Sequence, residues 1–490
     1  MNSAASAGGK PPRIHRTIRR GQDDPVSTRR SDNWKDIARP WAWTIATAAI
    51  LVIGGANNTY PLPRGLAEAL AALLLGGAIA SRHSLHRPHI AMDWLVLAAP
   101  LAVLVQFVPL PPSLWTALPG RDAIAALDEA VLGAPAWRPI TLDIEETWRS
   151  LLFLIVPIAF YVGFRTGDRV RRRAIVMGIA AAFAIGAAMA LLQVSGMAWA
   201  YPYADGRADN AFVIGFFTNH NHQATFAVTA LLALLLLPGL SAGGAPGHAG
   251  HQRSDGTQDL FAPRHLPMLG VTVIAALLAL LTASRAGLGL LAIGLALAAC
   301  AWTAPLLARS RRVFWPVLGI IALGAGVFLT LPFLGGGELG GVADRAALSS
   351  DRRFEVWPQA LDVAATYMPT GSGYGTFRPA YEMHEPIELV GMLFVNHAHN
   401  DYIELAIEGG VLAVVLILAL LALLLRYAVP AWLTPEAGGG IEARLGSAIL
   451  VVVLLHSLVD YPARTVAVAA LCGIALALVC APRDDAEQRS

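Results

Sequence analysis

Charge is what this sequence has least of. Only 14% of its 490 residues are Asp, Glu, Lys or Arg, against 56% hydrophobic. A soluble globular chain carries roughly 25% charged residues, and here the shortage is uneven. Charges gather in short stretches between long apolar runs, the pattern of repeated membrane spans. Cysteine is scarce too. Cys300, Cys472 and Cys480 each fall within an apolar run, which excludes a disulfide framework or zinc-type spacing and points to reduced, buried thiols. The first 40 positions carry Arg19, Arg20, Arg29, Arg30 and Arg39 but no apolar core, so the pattern of a cleavable signal peptide is missing. Residues 1–40 read as a disordered basic cytoplasmic tail ahead of an uncleaved first span. Such a tail can also bind nucleic acid, but a basic flank beside a first span accounts for it, and no nucleic-acid partner is expected. No internal repeat is evident.

What is present is a series of apolar runs at 41–57, 65–80, 91–109, 148–164, 174–197, 213–237, 267–283, 286–304, 313–334, 402–425, 445–459 and 465–481. Their lengths are near the roughly 17–25 residues a span needs, so the expected fold is all-α, a polytopic membrane protein of about twelve transmembrane helices. With the N-terminus inside, 25 of the 36 basic residues lie in inner segments. The runs Arg169, Arg171–Arg173 and Arg309, Arg311, Arg312 in short loops decide the orientation, with both termini cytoplasmic. Spans one to nine then occupy 41–334 and spans ten to twelve 402–481. Residues 482–490 are a second inner tail, and 238–266, rich in Gly, His, Ser and Pro, reads as a flexible inner loop. Two outer segments are long, about 110–147 and 335–401.

The second of these is where the sequence becomes specific. After Gly335–Gly337 and Gly340–Gly341 it reads Asp351-Arg352-Arg353-Phe354-Glu355-Val356-Trp357. Phe354, Trp357, Leu361 and Ala364 recur at helical spacing, which predicts a short amphipathic helix on the membrane surface. Pro369 ends it, and Gly371-Ser372-Gly373-Tyr374-Gly375 makes a tight turn. Those glycines permit close approach to a ligand or serve only as a turn. The Lys-Ser/Thr ending of an ATPase phosphate loop is missing. The segment closes on Asn396-His397-Ala398-His399-Asn400-Asp401-Tyr402. An imidazole titrates near neutrality and can take a proton from a sugar hydroxyl. The same residues can instead cap a helix, and His-x-His can chelate a metal, although no partner triad is visible.

Three further groups lie on the expected outer side. Arg285, in Leu281-Thr282-Ala283-Ser284-Arg285-Ala286-Gly287, is a guanidinium at membrane depth that needs a partner. It suits phosphate recognition or a snorkelling structural role. Thr218-Asn219-His220-Asn221-His222-Gln223 heads the sixth apolar run and suits sugar hydroxyls or helix contacts. His456 and Asp460 share a helix face as a functional or a mutual structural pair.

This ordered set resembles the O-antigen ligase family, which includes O-antigen ligases, O-antigen polymerases and some protein O-oligosaccharyltransferases. The matching features are Gly215-Phe216-Phe217-Thr218-Asn219, Thr282-Ala283-Ser284-Arg285, Arg353 with Trp357, Pro369 with the glycine turn, and His397-Ala398-His399-Asn400 before Gly409-Gly410. They cover roughly 210–415. Gly289 and Ala413 depart from residues usual in ligases, which leaves ligase and polymerase both open. The resemblance implies that Arg285 and Arg353 bind the diphosphate of a polyprenyl-linked glycan and that His399 is the essential outer-face histidine. His397 stands beside it as a catalytic candidate. Arg352, Asn219, His220, Gly373, Tyr374, Asn400, Asp401 and Glu404 are the candidates for holding substrate, and Glu382 and Glu385 are further nearby acids. The expected partners are a polyprenyl-diphosphate glycan donor, a lipid-anchored or growing glycan acceptor and membrane lipids. No metal and no cofactor is expected. Two surface helices would roof a lateral cavity that leaves the polyprenyl tail in the bilayer. The rival class is a transporter of an anion or lipid-linked glycan, but the paired broken helices of many transporters are not seen. A non-catalytic scaffold would not need the arginine–histidine set.

Overall fold

The computed structural model describes residues 33–56, 60–81, 90–203, 212–241, 266–308, 356–387, 394–433 and 440–480. The chain divides into two units, Met1–Arg39 and Pro40–Ser490. Of the first, residues 33–39 are described and are helical; the rest of the description concerns the second.

With no water in hydrocarbon to satisfy backbone N–H and C=O groups, apolar runs of this length fold as helices. In chain order they are α1 (Asn33–Ile53), α2 (Pro61–Ala80), α3 (Ile90–Val105), α4 (Pro112–Trp115), α5 (Asp122–Leu132), α6 (Ile144–Phe153), α7 (Ile155–Arg165), α8 (Arg169–Val194) and α9 (His220–Leu234). There follow α10 (Leu237–Ser241), α11 (Leu266–Leu281), α12 (Arg285–Ala308), α13 (356–367), α14 (Phe377–Glu382), α15 (Asp401–Leu433), α16 (Ile441–His456) and α17 (Val466–Val479). Among the described residues five stretches are long and apolar enough to cross a membrane: Pro61–Ala80, Ile144–Arg165, Arg169–Val194, Arg285–Thr303 and Asp401–Leu433. Ala38–Ile53, Ile90–Val105, Leu266–Leu281 and Val466–Val479 are shorter apolar helices. Each apolar run read from the sequence coincides with helix except 313–334, which lies outside the described residues together with Gly335–Gly341, Arg352 and Arg353. Among the described residues the fold is all-α apart from one two-stranded antiparallel pair, in which Pro109 faces Pro139 and Leu110 faces Arg138. The thiols of Cys300, Cys472 and Cys480 are free.

Helix α9 is the innermost element. Every residue from Asn221 to Leu234 is buried, so it is enclosed on all sides, with apolar residues filling most of its length beyond the polar first turns. It packs against α8, α11, α12, α16 and α17, and its polar head is therefore buried among their ends.

The two long polar segments dock on each other. Leu142 N donates to Ser372 O at 2.7 Å, and Arg121 Nη2 donates to Gly371 O at 3.1 Å. Gln106 donates through Nε2 to Glu408 O at 2.8 Å and accepts from Tyr374 N at 2.7 Å. Arg121 is buried, and that burial lowers its pKa to about 10. A small second core of Ala360, Val363, Tyr367, Phe377, Tyr381 and Ile407 knits α13, α14 and the start of α15 together. A helix is thus present over 356–367. Leu361 is 55% exposed, while Ala360, Val363, Ala364 and Tyr367 are buried. The helix packs its small residues on protein, which the apolar spacing alone did not distinguish from packing on lipid.

Candidate functional site

The site forms where several helix ends meet, and its local geometry begins with caps. Asn219 caps α9, accepting from Asn221 N at 2.8 Å. Ser284 Oγ accepts from Gly287 N at 2.8 Å and so caps α12. Asn400 Oδ1 accepts from Tyr402 N and Ile403 N at 3.0 and 3.1 Å at the head of α15, while its Nδ2 donates to Leu458 O at 2.9 Å. Short polar side chains at these positions satisfy N–H groups that a helix start leaves open.

These caps are wired to one another. His220 Nδ1 lies 2.9 Å from Thr282 O, and its ring stacks on Phe212 at 4.6 Å. Ser284 Oγ donates to Asn221 Oδ1 at 2.7 Å, and Asn221 Nδ2 donates to Asp460 Oδ2 at 2.7 Å. Asp460 Oδ1 accepts from Tyr461 N at 2.9 Å and lies 3.1 Å from His399 Nδ1. His222 Nε2 and His456 Nε2 stand 3.7 and 3.9 Å from the same carboxylate. Asp460 is fully buried. Burial works to raise its pKa, but the hydrogen bond with His399 and the nearness of the His222 ring hold it well below the usual carboxylate range. A carboxylate at Nδ1 fixes the tautomer and leaves Nε2 as the basic nitrogen of His399.

The backbone at two of these positions is strained. Among the described residues Ala283 (φ 50°) and His399 (φ 51°) are the non-glycine residues with positive φ. Left-handed backbone costs a non-glycine residue about 1–3 kcal/mol and persists where the surroundings over-determine it. One lies beside Ser284-Arg285, and the other is the histidine on Asp460. Arg285 is the first residue of α12 and half-buried.

A second histidine has its own carboxylate. His397 Nδ1 lies 3.1 Å from Glu404 Oε2, and Glu404 Oε1 accepts from Ala398 N at 2.8 Å. The Tyr461 ring separates the two imidazoles, stacked on His397 at 3.9 Å and edge-on to His399 at 5.1 Å. Beneath His397, Asp401, Glu404 and Glu408 share one face of α15, and all three meet Arg464. Its Nε is 3.3 Å from Asp401 and 3.0 Å from Glu404, and its Nη1 and Nη2 grip Glu408 at 3.1 and 2.9 Å. Burial works to lower the Arg464 pKa, but the three carboxylates outweigh it and raise the value.

The glycine turn uses its freedom on the chain itself. Gly371, Gly373 and Gly375 have φ of 78°, 122° and 85°. A Cβ on each would strike Glu408 O, Thr141 Oγ1 and Ser150 Oγ respectively. The close approach that the sequence left open between ligand and turn is therefore to protein. Gly410 breaks α15 at φ 56°, where Val411 N donates to Pro369 O at 2.9 Å. The break separates the acid-bearing first turns from the long apolar remainder.

A cavity of about 840 Å³ opens beside His397. Tyr374, Asp401, Glu404, Tyr461 and Arg464 line it, with Arg64, Arg149 and Arg378 toward its polar part. Of the residues singled out in the sequence, His399, Asn219, His220 and Arg285 are joined through Asp460, Asn221, Thr282 and Ser284. His397, Tyr374, Asp401 and Glu404 belong to the cavity, Gly373 and Asn400 hold the backbone, and Arg352 and Arg353 lie outside the described residues. The pairing role of Asp460 and all of Arg464, Glu408 and Tyr461 were missed. One signal was available: Asp401, Glu404 and Glu408 at i, i+3 and i+7 in an otherwise apolar helix demand a cation. Among the described residues no group of three or more His, Cys, Asp or Glu is arranged to hold a metal ion.

Residues 270–418 match the family described as O-antigen ligase. The matched stretch contains Arg285, the glycine turn, His397 and His399, so the family resemblance read from the sequence is shown there. No curated protein matches the chain in a sequence comparison.

Proposed function

The chain carries an O-antigen ligase domain across residues 270–418 and is a multi-pass membrane protein, and from this we propose that it transfers a glycan from a polyprenyl-diphosphate carrier to an acceptor hydroxyl on the periplasmic face of the bacterial inner membrane. The acceptor is a lipid-anchored or growing polysaccharide. The observation that carries the reading is the His399–Asp460 pair, strained at its histidine and joined through Asn221 to the Ser284 cap that precedes Arg285.

In this mechanism His399 Nε2 accepts the proton of the acceptor hydroxyl as its oxygen attacks the anomeric carbon. The bond from that carbon to the phosphate oxygen breaks, and the diphosphate departs with the electron pair. Asp460 offsets the charge gained by the imidazole, as the carboxylate of a catalytic triad does. Arg285, with Arg353, stabilises charge building on the diphosphate, the largest contribution expected in such a transfer. The glycosyl-diphosphate bond supplies the driving force, so neither nucleotide nor cofactor enters. The fixed guanidinium charges replace a metal ion, and transfer should continue in membranes washed with chelator.

The test is reconstitution in vesicles with a polyprenyl-diphosphate oligosaccharide and candidate acceptors, followed by mass analysis of the lipid product. A mass gain equal to the oligosaccharide, lost on replacing Arg285 or His399 with the protein level unchanged, is expected. Movement of intact donor across the vesicle without any product would sink the reading in favour of transport.

A further inference from the structure

Asp460 serves more groups than the transfer requires. Its Oδ1 accepts from Tyr461 N at 2.9 Å and lies 3.1 Å from His399 Nδ1, while Asn221 Nδ2 donates to Oδ2 at 2.7 Å. Two more imidazoles close around it. His222 Nε2 stands 3.7 Å from Oδ1, the oxygen that holds His399, and His456 Nε2 stands 3.9 Å from Oδ2. The two differ in how they are held. His456 Nδ1 meets Thr225 Oγ1 at 2.5 Å, whereas neither ring nitrogen of His222 makes a hydrogen bond among the described residues. His222 lies in the first turn of α9 and is buried, with the Tyr461 ring edge-on at 4.9 Å. Enclosing an imidazole without a hydrogen bond is costly, and an apolar side chain of that size would fill the space without the cost. The polar feature of its setting is the shared oxygen.

A carboxylate beside a base acts in two ways. It fixes the tautomer, and it also favours the protonated imidazole. An imidazolium has no lone pair with which to take a proton from a hydroxyl. A buried carboxylate turned on one histidine alone therefore works against the base it orients. Every donor aimed at that carboxylate weakens the effect. Tyr461 N and Asn221 Nδ2 are such donors, and His222 is another. A carboxylate can only accept, so the His222 tautomer that suits Oδ1 carries its proton on Nε2.

We infer that His222 is a positioning residue for the transfer: it shares Asp460 Oδ1 with His399 and tempers that carboxylate, so that His399 keeps a free lone pair at neutral pH. The inference rests on the glycosyl-transfer reading, which makes His399 the base, and adds the group that keeps the base ready. Other titratable or charged groups surround the pair. His456 ends α16, which has Glu442 and Arg444 near its start, and Tyr461 follows Asp460. His397, Asp401 and Glu404 flank His399, with Arg464 on the two acids. Of the remaining helices on α9, α8 has its arginines in its first turns, α12 has Arg285 at its head, α11 has no charged residue and α17 has only the Cys472 thiol. An Asp460→Asn background separates what passes through the shared carboxylate from what these groups contribute.

The experiment uses the full chain in lipid nanodiscs. Diethyl pyrocarbonate acylates neutral imidazole and not imidazolium, so the pH midpoint of His399 modification reports its protonation. Tandem mass analysis separates His399 from His397. The His399 side chain is 35% exposed and that of His222 1%, so the reagent reaches the first and spares the second. His222→Phe, which removes the N–H donor and keeps a ring, should move the midpoint up by roughly half to one pH unit. The acid limb of kcat for transfer should move with it. His222→Met, donor-free and adaptable in packing, should give the same shift and serves if the phenylalanine variant does not fold. His222→Gln keeps an N–H near the place of Nε2 and should return the midpoint to that of wild type. In Asp460→Asn protein, His222→Phe should leave the midpoint where it is. A midpoint unmoved or lowered in folded His222→Phe or His222→Met overturns the inference, even where kcat falls equally at every pH. So does a shift that survives Asp460→Asn. Because modification requires no turnover, the expected shifts in a protein that transfers no glycan keep the shared carboxylate and remove the transfer reading.

Discussion

Two imidazoles flank Tyr461, and each leans on a buried carboxylate, yet their surroundings differ. On the Glu404 side the negative charge is neutralised by Arg464, which also binds Asp401 and Glu408. On the Asp460 side the partners are three histidines, the Asn221 amide and a backbone N–H, and no guanidinium is among them in the described residues. A carboxylate whose charge is already offset holds its histidine in place. One that is not offset can answer the positive charge an imidazole takes on when it accepts a proton. Under the proposed transfer this difference favours His399 as the base and His397 as a lining residue, although the sequence presents them as near equals two positions apart. The backbone agrees, since strain falls on His399.

The comparison is broken most directly by exchanging the two histidines' fates. His399→Ala should lower the transfer rate by about 10²–10⁴-fold, the usual contribution of a general base, while His397→Ala should cost about tenfold or less. Rates measured on reconstituted protein with equal amounts of each variant decide it, and the reverse order would overturn the assignment.

The Glu404 side should answer in stability. Arg464→Ala strips the cation from three buried carboxylates, and breaking a buried ion pair in this way costs about 3–5 kcal/mol. Loss of folded protein in a thermal melt is expected, with Arg464→Lys intermediate because a lysine cannot reproduce the two-pronged grip on Glu408.

Asp460→Asn sharpens the contrast, because it should lower the rate by as much as about 10⁴-fold through the His399 tautomer and should lose at neutral pH the stability that the ionised carboxylate contributes. The acid side of the melt tests the charge itself. The Asp460 pKa is depressed in the folded chain, so its contribution is complete above the ordinary value of about 3.9 and is lost as pH falls below that toward the depressed one. Wild type should therefore lose Tm more steeply than Asp460→Asn below about pH 4.

The smallest effect belongs to the turn that supports both sides. Gly373→Ala forces a Cβ onto Thr141 at φ 122° and should destabilise by about 1–3 kcal/mol. The acceptor KM should follow only as far as the docking of 110–147 on 356–387 is disturbed, which comparing Tm with KM in one preparation would reveal.

Much of this was legible one segment at a time. Apolar runs gave helices near the expected places because backbone satisfaction in hydrocarbon is a local demand. The Asn219, Ser284 and Asn400 caps sit where short polar residues head apolar runs, and His397, His399 and Arg285 stood out because polar groups at such places are costly. Which residues of α13 meet protein was not legible, since spacing gives a period and not a neighbour.

The sequence by itself determined that the chain is a bundle of apolar helices whose polar residues gather at helix ends, because each of those facts depends on residues within a few turns of one another. Only the tertiary structure decided that Asn221 bonds Asp460, 239 positions away, that Arg464 answers the acids of α15, and that one imidazole meets a carboxylate with no guanidinium among its described partners while its neighbour's carboxylate has one. Such pairings are set by which helix ends pack side by side. Hydrophobic burial, which drives that packing, is non-directional, so no spacing within a single segment encodes them.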